Sequence, residues 1–430
     1  MRVLMVAPAF PPNDGIGPVR NGKVAKWLTE MGHHVRVVTA HQPYHSRLLK
    51  IEVPTEHVVY VPYIDLAAPS RVVQGGRAKQ IANSNRPASL LRRRLKSLWR
   101  LIQIVVHFPD HFILWYPAAV RAADRVAGSF SPDIVYSSSP PFTAHVAARR
   151  IARKIGVPWV ADFRDLWADS HHTAGYPKVR KHLERVFEKH ILKDAAGIVT
   201  ASPAFTEIMQ RWHNQPMLTM TNGYDPEDYP TKGVRCAEEG KLSLVYAGTF
   251  YDNFDVSLLL RALRLLGPDA ERVRLTFFGK GLEPVVIAAS RLEVSGLVDV
   301  RGPVPRDEAM ALQVGADAFV LFTWTDERFG GWLPAKLFSY LGAQRPILAI
   351  GPHGNPLGRF IEALGVGRSA SSAEEAASII AEWLREKSSA NTVSWRGGSE
   401  VESFRRSAQV AELEAFLRTF TQAMPERAAS

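Results

Sequence analysis

The sequence has 430 residues and is poor in cysteine, since Cys236 stands alone. A single cysteine excludes an internal disulfide, and with no second cysteine nearby we do not expect a structural zinc site. We therefore expect a reducing, cytoplasmic location. Long hydrophobic runs are also missing, because none approaches the ~20 residues that a membrane-spanning helix needs. The short apolar run at residues 2–7 is typical of a buried strand rather than of a signal peptide.

Acidic residues are few relative to basic ones, with 42 Asp and Glu against 53 Lys and Arg, and the formal net charge is +11. Such a charge suits nucleic acid, an anionic membrane or a phosphorylated small molecule as a partner. The basic clusters lack a recognisable reading helix or an aromatic-studded sheet, so we do not expect nucleic acid. The sequence also has no Asp-x-Asp motif, and we expect neither a metal ion nor a bound cofactor.

What the sequence does contain is a regular alternation of strand and helix patterns. A strand at residues 2–7, a helix at 19–31 and a strand at 35–39 predict a doubly wound parallel sheet. This alternation of strands and helices is weak in the middle of the first half of the chain. It then resumes and continues to residue 221, and a second series starts at Leu242. We predict two Rossmann-like α/β domains, residues 1–221 and 241–400, that face each other across a ligand-binding cleft. Residues 222–240 would link them, and a helix at 401–424 would pack back on the first domain.

The loop after the first strand has the composition of an anion site. Gly15 and Gly17 would let backbone N–H groups approach a phosphate, and the following helix N-terminus attracts negative charge. Arg20 stands where a dinucleotide fingerprint has its third glycine, so this is not that motif. A plain turn without a ligand is the alternative.

Polar residues also gather where two further strands should end. Asp162, Arg164, Asp165 and Trp167 follow one strand, and Ser139 ends another. Such side chains could grip sugar hydroxyls. The alternative is a structural ion pair between Arg164 and Asp162 or Asp165.

The stretch around Lys336 is the most informative. Pro334 suits the first position of a helix, which places Lys336 in the first turn, where a cation opposes the helix dipole. That placement is reasonable if an anion, such as a diphosphate, lies between the lysine and the exposed N–H groups. A lysine that points into water is the alternative. Gly279 and Lys280 lie at another strand end and are weaker candidates.

A basic amphipathic pattern extends from Leu90 to Val106. It suits an anionic membrane surface, so it leaves open a peripheral contact with the inner face of the membrane. A core-packed helix with a basic outer face is the alternative.

Several motifs together resemble the GT-B glycosyltransferases of retaining family 4, in the branch found in bacterial surface-polysaccharide gene clusters. The resemblance covers nearly the whole chain. It is carried by Pro11-Pro12-x-x-Gly15-x-Gly17, Gly32-His33-His34-Val35, Ser138-Ser139-Pro140-Pro141, Asp162-Phe163-Arg164-Asp165-Leu166-Trp167, Thr221-Asn222-Gly223-Tyr224-Asp225, Tyr246-Ala247-Gly248-Thr249 and Leu333-Pro334-Ala335-Lys336-Leu337-Phe338-x-Tyr340-Leu341.

The resemblance implies transfer of a sugar from a nucleotide-diphosphate sugar, the co-substrate, to a glycan or lipid-linked acceptor, without a metal. Asp162 and Lys336 would be catalytic. The donor would contact Gly15, Gly17, Arg20, Gly248, Thr249, Gly279, Lys280, Pro334, Leu337 and Ser339. The acceptor would contact Ser139, Arg164, Asp165 and Trp167.

The sequence departs from the family at two positions. Members typically carry two glutamates eight positions apart around the last of these motifs, and here the positions hold Gly331 and Ser339. A degenerate, non-catalytic binding protein is therefore one alternative function, and a sugar-nucleotide epimerase on the same fold is another.

Overall fold

The computed structural model describes residues 1–42, 47–63, 108–170, 176–251, 253–323 and 333–422. The basic segment at residues 90–106 and Gly331 lie outside these ranges, so the expectations that rest on them stay predictions. Within the described residues, no helix is both long enough and apolar enough to cross a bilayer.

The first sheet has seven parallel strands in the order β3-β2-β1-β4-β5-β6-β7. The strands are β1 Arg2–Val6, β2 His34–His41, β3 Val58–Pro62, β4 Ile134–Ser139, β5 Trp159–Phe163, β6 Gly197–Thr200 and β7 Met217–Thr219. Both β4 and β5 are buried along their whole length, as expected of central strands in a parallel sheet covered on both faces.

Five helices connect these strands within the described residues. They are α1 Ile16–Glu30, α2 Tyr116–Phe130, α3 Thr143–Ile155, α4 Lys178–Leu192 and α5 Pro203–Gln210. The sequence predicts the first helix from residue 19, but it begins three residues earlier. Gly15 adopts φ 128° as the N-cap, and a proline such as Pro18 is tolerated in a first turn. Gly17 therefore lies inside the helix and not in the preceding loop.

The second sheet has six parallel strands in the order β10-β9-β8-β11-β12-β13. The strands are β8 Leu242–Ala247, β9 Val273–Phe278, β10 Val298–Arg301, β11 Ala318–Phe322, β12 Ile347–Ile350 and β13 Gly367–Ala370. The helices are α6 Ser257–Leu265, α7 Glu283–Arg291, α8 Arg306–Val314, α9 Ala335–Ala343, α10 Pro356–Ala363, α11 Ala373–Ala390 and α12 Arg406–Thr421.

Alternate residues of β8 belong to different hydrophobic clusters. Leu244 and Tyr246 pack in one, while Val245 and Ala247 pack in the other. Because successive strand residues point to opposite faces, the second sheet has a core on each side. The predicted α/β architecture with two parallel sheets is confirmed.

The chain divides into two compact units. The first comprises Met1–Ala201, Phe205–Thr219 and Leu413–Ser430, and the second comprises Ser202–Ala204 and Met220–Glu412. Much of the segment predicted as a linker packs within the second unit, where the Val234 N–H donates to the Ala311 carbonyl at 2.8 Å.

The last helix begins later than the sequence predicts. Residues Ser399–Phe404 form a 3-10 helix, and Arg405 has an extended ψ of 136°, so α12 starts at Arg406. Its later part belongs to the first unit, where an ideal Cβ on Gly197 would lie 2.7 Å from the rings of both Phe416 and Phe420.

Candidate functional site

In the second unit, Lys336 lies in the first turn of α9. Pro334 has an extended ψ of 141° and is the N-cap, one position before the place the sequence predicts. Its carbonyl accepts a hydrogen bond from the Leu337 N–H at 3.0 Å. The Leu337 side chain is fully buried in the core. The lysine is thereby fixed at the helix start, where backbone N–H groups make the environment electropositive.

The Lys336 amine turns toward the carboxyl end of β8. Its Nζ donates to the Thr249 carbonyl at 2.7 Å and to the Tyr246 hydroxyl. The Nζ also lies 4.1 Å from the centroid of the Tyr246 ring and 5.9 Å from the rings of Tyr251 and Phe254. The side chain is therefore held in an aromatic setting and does not extend into water.

Burial changes the titration of this lysine. Desolvation lowers the pKa of Lys336 from 10.5 to about 7. Aromatic rings favour a cation above their faces, but here they do not offset the loss of water. An anion placed at the amine would favour the protonated form and raise the pKa again. The group is thus suited to respond to a phosphate.

Two glycines make room beside Lys336. Gly248 has φ 113°, and an ideal Cβ on it would lie 2.9 Å from Lys336 Cε. Gly279 has φ 141°, and its Cβ would lie 2.1 Å from the Gly248 carbonyl oxygen. A side chain at either position would displace backbone or the lysine stem. Lys280 is exposed, and its carbonyl accepts from the Phe250 N–H at 2.9 Å.

Ser339 follows Lys336 by one helical turn and is already engaged. Its Oγ donates to Gln313 Oε1 at 2.6 Å, and its carbonyl accepts from the Tyr229 hydroxyl at 2.8 Å. The hydroxyl could still accept one bond from a ligand, but Gln313 fixes the direction of its proton.

In the first unit, Arg164 lies against the start of α1. An ideal Cβ on Gly17 would be 2.4 Å from Arg164 Nη1 and 2.7 Å from its Cζ. The Arg164 N–H donates to the Ser139 carbonyl at 3.0 Å, and its Nη2 donates to the Pro140 carbonyl. Burial lowers the pKa of Arg164 from its usual 12.5. A cation therefore lies directly against the N-terminal turn of a helix, where an anion would be stabilised.

Asp162 and Arg20, which lie near Arg164 in the sequence and near the start of α1 respectively, pair with each other. Arg20 Nη2 and Nε donate to the two Asp162 oxygens at 2.8 and 3.0 Å, and neither side chain is exposed. Ser138 Oγ donates to the same carboxylate at 2.8 Å. The sequence offered Arg164 as the partner of a structural ion pair, but α1 brings Arg20 to Asp162 instead. In this arrangement Asp162 and Arg20 support the site without a surface that a substrate could touch.

Of the four residues expected to contact the acceptor, two are buried and two are partly exposed. Ser139 is fully buried and its Oγ is 2.8 Å from His145 Nε2. Trp167 is 1% exposed and stacks on Phe142 with ring centroids 4.8 Å apart. Both belong to the core of the first unit, whereas Asp165 and Arg164 remain partly exposed.

Residues 17–223 of this chain match a protein-family model described as a glycosyl transferase 4-like domain. The sucrose-phosphate synthase of Thermosynechococcus elongatus aligns with 98% of this chain and 99% of its own, at 13% identity and a TM-score of 0.63. HepE of Anabaena, in complex with UDP, aligns over 97% and 100%, at 13% identity and a TM-score of 0.62.

The fold is GT-B. A glycosyltransferase from Rickettsia africae gives the same result, with 98% of this chain and 99% of that chain aligned at 11% identity and a TM-score of 0.63. A comparison with curated protein sequences finds no match.

Sequence reasoning missed three residues that shape the two halves of this GT-B chain. Tyr246 belongs to one of the motifs, but the motif alone does not indicate that its ring and hydroxyl hold the Lys336 amine. Gln313 orients Ser339, and no sequence pattern indicated it. His145 bridges Ser137 and Ser139 at 2.8 Å each, and burial lowers its pKa to about 3, so it is a neutral positioning group.

Proposed function

We propose that this protein is a glycosyltransferase that moves a sugar from a nucleotide-diphosphate sugar to a glycan or lipid-linked acceptor, with retention of configuration, in the biosynthesis of a cell-surface polysaccharide. The observation that carries the proposal is Lys336, held at the start of α9 in a chain with the GT-B fold. The matched glycosyl transferase 4-like domain supports the same activity.

Lys336 would act on the leaving group. When the bond between the sugar's anomeric carbon and the phosphate oxygen breaks, negative charge develops on the diphosphate. A protonated amine and the N–H groups of a helix start are preorganised to stabilise that charge. We propose that these groups do so without a metal ion.

Arg164 would supply a second cation, in the first unit. Its guanidinium contacts the first turn of α1 at Gly17, so both a charge and helix N–H groups are offered to an anionic or hydroxyl-rich ligand. The buried pair of Arg20 and Asp162 would hold this end of the sheet in position. We therefore propose contact roles for Arg164 and Asp165, and positioning roles for Arg20 and Asp162.

A uridine nucleotide is the first donor base to test. Crystal structures of HepE, which shares the fold, are complexes with UDP, with UDP and glucose, and with UDP-glucose. The identity to this chain is only 12–13% in these structures, so the base is a proposal that rests on the fold.

The test is transfer from a panel of UDP-, GDP- and dTDP-sugars, with nucleotide release as the readout. Lys336→Ala should lower kcat at least about a hundredfold, because it removes one group that stabilises the leaving charge. Lys241→Ala is the matched control, since Lys241 is a partly exposed lysine of the same unit, paired with Glu238 at 2.7 Å. Full turnover in Lys336→Ala would remove Lys336 from its proposed role.

Two alternative functions are also tested, because Ser339 stands where members of the family typically have a glutamate. If calorimetry detects binding of a glycan but not of a nucleotide, the result would favour a non-catalytic binding protein. An epimerase would convert the donor in the absence of an acceptor, which NMR of the sugar nucleotide would detect.

A further inference from the structure

Helix α4, Lys178–Leu192, buries three charged side chains and exposes several apolar ones. Arg180, Glu184 and Glu188 are only 7%, 1% and 0% exposed. Their spacing of four places them on one face of the helix. Surface helices of globular proteins normally direct their apolar residues inward and their charges outward. Here the three charged side chains face inward together with Ile191 and Leu192, while other apolar side chains of the same helix face solvent.

Hydrogen bonds within the first unit fix the inward charges. Arg180 Nε donates to Glu184 Oε1 at 2.8 Å, and the Ala168 N–H donates to Glu188 Oε2 at 2.9 Å. Arg185 Nη1 donates to the other oxygen of Glu188 at 2.8 Å. The bonds of Arg180 and Arg185 join residues of the same helix, whereas the bond from Ala168 ties Glu188 to the chain outside it. His213 Nε2 also lies 3.1 Å from Glu188 Oε1. Because rotation of the helix would break the contacts to Ala168 and His213, they hold the opposite side of α4, with Leu183 and Val186, outward.

The outward side carries a row of apolar side chains. Val179, Leu183 and Val186 are 72%, 52% and 52% exposed, and their spacing of four and three aligns them along the helix. Trp212 is 44% exposed, and Lys189 Nζ lies 4.4 Å from its ring centroid. We refer to Val179, Leu183, Val186 and Trp212 as the α4 stripe.

The surface beside the α4 stripe is cationic. Both glutamates of α4, a helix described in full, are turned inward, so its exposed side has no carboxylate. The exposed basic residues of the helix and of the position after it are Lys178, His182, Lys189, His190 and Lys193. The nearest exposed carboxylates in sequence, Asp169 and Asp194, are paired with arginines.

We propose that the α4 stripe docks on the surface of a bilayer that contains anionic lipid. A line of apolar side chains along one helix, bordered by lysines, is the arrangement of an interfacial helix. The aliphatic groups enter the boundary between head groups and acyl chains, and the lysines bind the anionic head groups. Tryptophan suits that boundary because its ring is apolar and its N–H is polar. This inference is independent of glycosyl transfer.

The test is flotation of the full-length protein with vesicles. One set contains phosphatidylcholine alone, and the other contains phosphatidylglycerol as the minor lipid. The variant Leu183→Gln/Val186→Gln removes two members of the α4 stripe, and glutamine retains helix propensity. Val286→Gln/Ile287→Gln on α7 is the matched control, since these residues are 51% and 53% exposed.

We expect wild type and the α7 control to float only with phosphatidylglycerol, and high salt to release them. The α4 variant should bind about tenfold more weakly or worse. Lys178→Glu/Lys193→Glu should lose the preference for anionic lipid. The proposal would be overturned if all variants floated equally. It would also be overturned if the wild type floated with neither kind of vesicle. A wild-type dimer in sedimentation that the α4 variant dissociates would overturn it as well, because the face would then bind a second copy.

Discussion

Arg20 and Asp162 are 142 positions apart in the sequence and form a bidentate ion pair in which neither side chain is exposed. Arg20 lies on α1 and Asp162 lies near the end of β5. Since Arg20 lies in the second turn of α1, the pair fixes the start of that helix relative to the carboxyl end of β5. A charge pair without water is retained only if it is well hydrogen-bonded, and Ser138 adds one further bond to the carboxylate.

Breaking this pair should destabilise the fold. Asp162→Asn leaves the Arg20 cation buried without its counter-charge, so we expect the free energy of unfolding to fall by about 3–5 kcal/mol in urea titrations. Arg20→Met/Asp162→Leu removes both charges and should recover much of that loss. Wild-type stability of Asp162→Asn would contradict the structural role.

The same pair predicts acid sensitivity. Burial alone would raise the pKa of Asp162, but the Arg20 guanidinium and the hydrogen bonds to the carboxylate together hold the pKa below the usual 3.8. A carboxyl with a lowered folded pKa contributes stability that is present above its unfolded pKa and lost as the pH falls through the folded value. Below about pH 4, the wild type should therefore lose stability more steeply than Arg20→Met/Asp162→Leu.

Gly17→Ala should disturb Arg164 more than the fold. The new Cβ would lie 2.4 Å from Nη1, and the guanidinium can move because it ends a flexible side chain. We expect the free energy of unfolding to change by less than about 1 kcal/mol. Turnover should fall about tenfold to a hundredfold, because the Arg164 guanidinium would be displaced from its position in the site. Gly128→Ala is the control: it lies in α2 with nothing within 4 Å, so it should stabilise by about 0.5–1 kcal/mol and keep full activity. Equal activity of both variants would exclude Arg164.

Nucleotide affinity should depend on the protonation of Lys336. With a free-state pKa of about 7, the amine is largely neutral above that pH and must take up a proton to pair with a diphosphate. Affinity should therefore be highest below pH 7 and weaken as the pH rises through the free-state pKa, by up to about tenfold per unit. Lys336→Arg stays charged and should flatten the profile. Calorimetry in buffers of different ionisation enthalpy would detect the proton uptake, and a pH-independent wild type would exclude this mechanism.

Tyr340→Phe should test the support beneath Gly248. The Tyr340 hydroxyl accepts from the buried Ala247 N–H at 2.8 Å, and its ring stacks on Phe319 with centroids 3.9 Å apart. Phenylalanine keeps the stack but leaves that N–H without its acceptor, so the protein should lose about 1–3 kcal/mol of stability. An unchanged melting temperature would show that this bond contributes nothing.

The strands β8 to β12 could be predicted from the sequence because each is short and has apolar residues either in a run, as in β11, or in alternation, as in β10. β13 and β3 could not. β13, Gly367–Ala370, has almost no apolar residues and lies at a sheet edge, and β3, Val58–Pro62, lies in the poorly periodic middle of the first half. A weak local pattern thus explains why β13 could not be predicted, whereas β3 is itself an apolar run and lacks only a regular alternation of strands and helices around it.

The sequence by itself determined the alternation of strands and helices and the place of Lys336 at a helix start, because both depend on local spacing and on the fixed φ of Pro334. Only the tertiary structure decided that Arg20, and not Arg164, pairs with Asp162. It also decided that Glu184 and Glu188 of α4 face inward while Leu183 and Val186 face outward. Partners distant in sequence are chosen by the packing of helices on a sheet, and no local pattern encodes that choice.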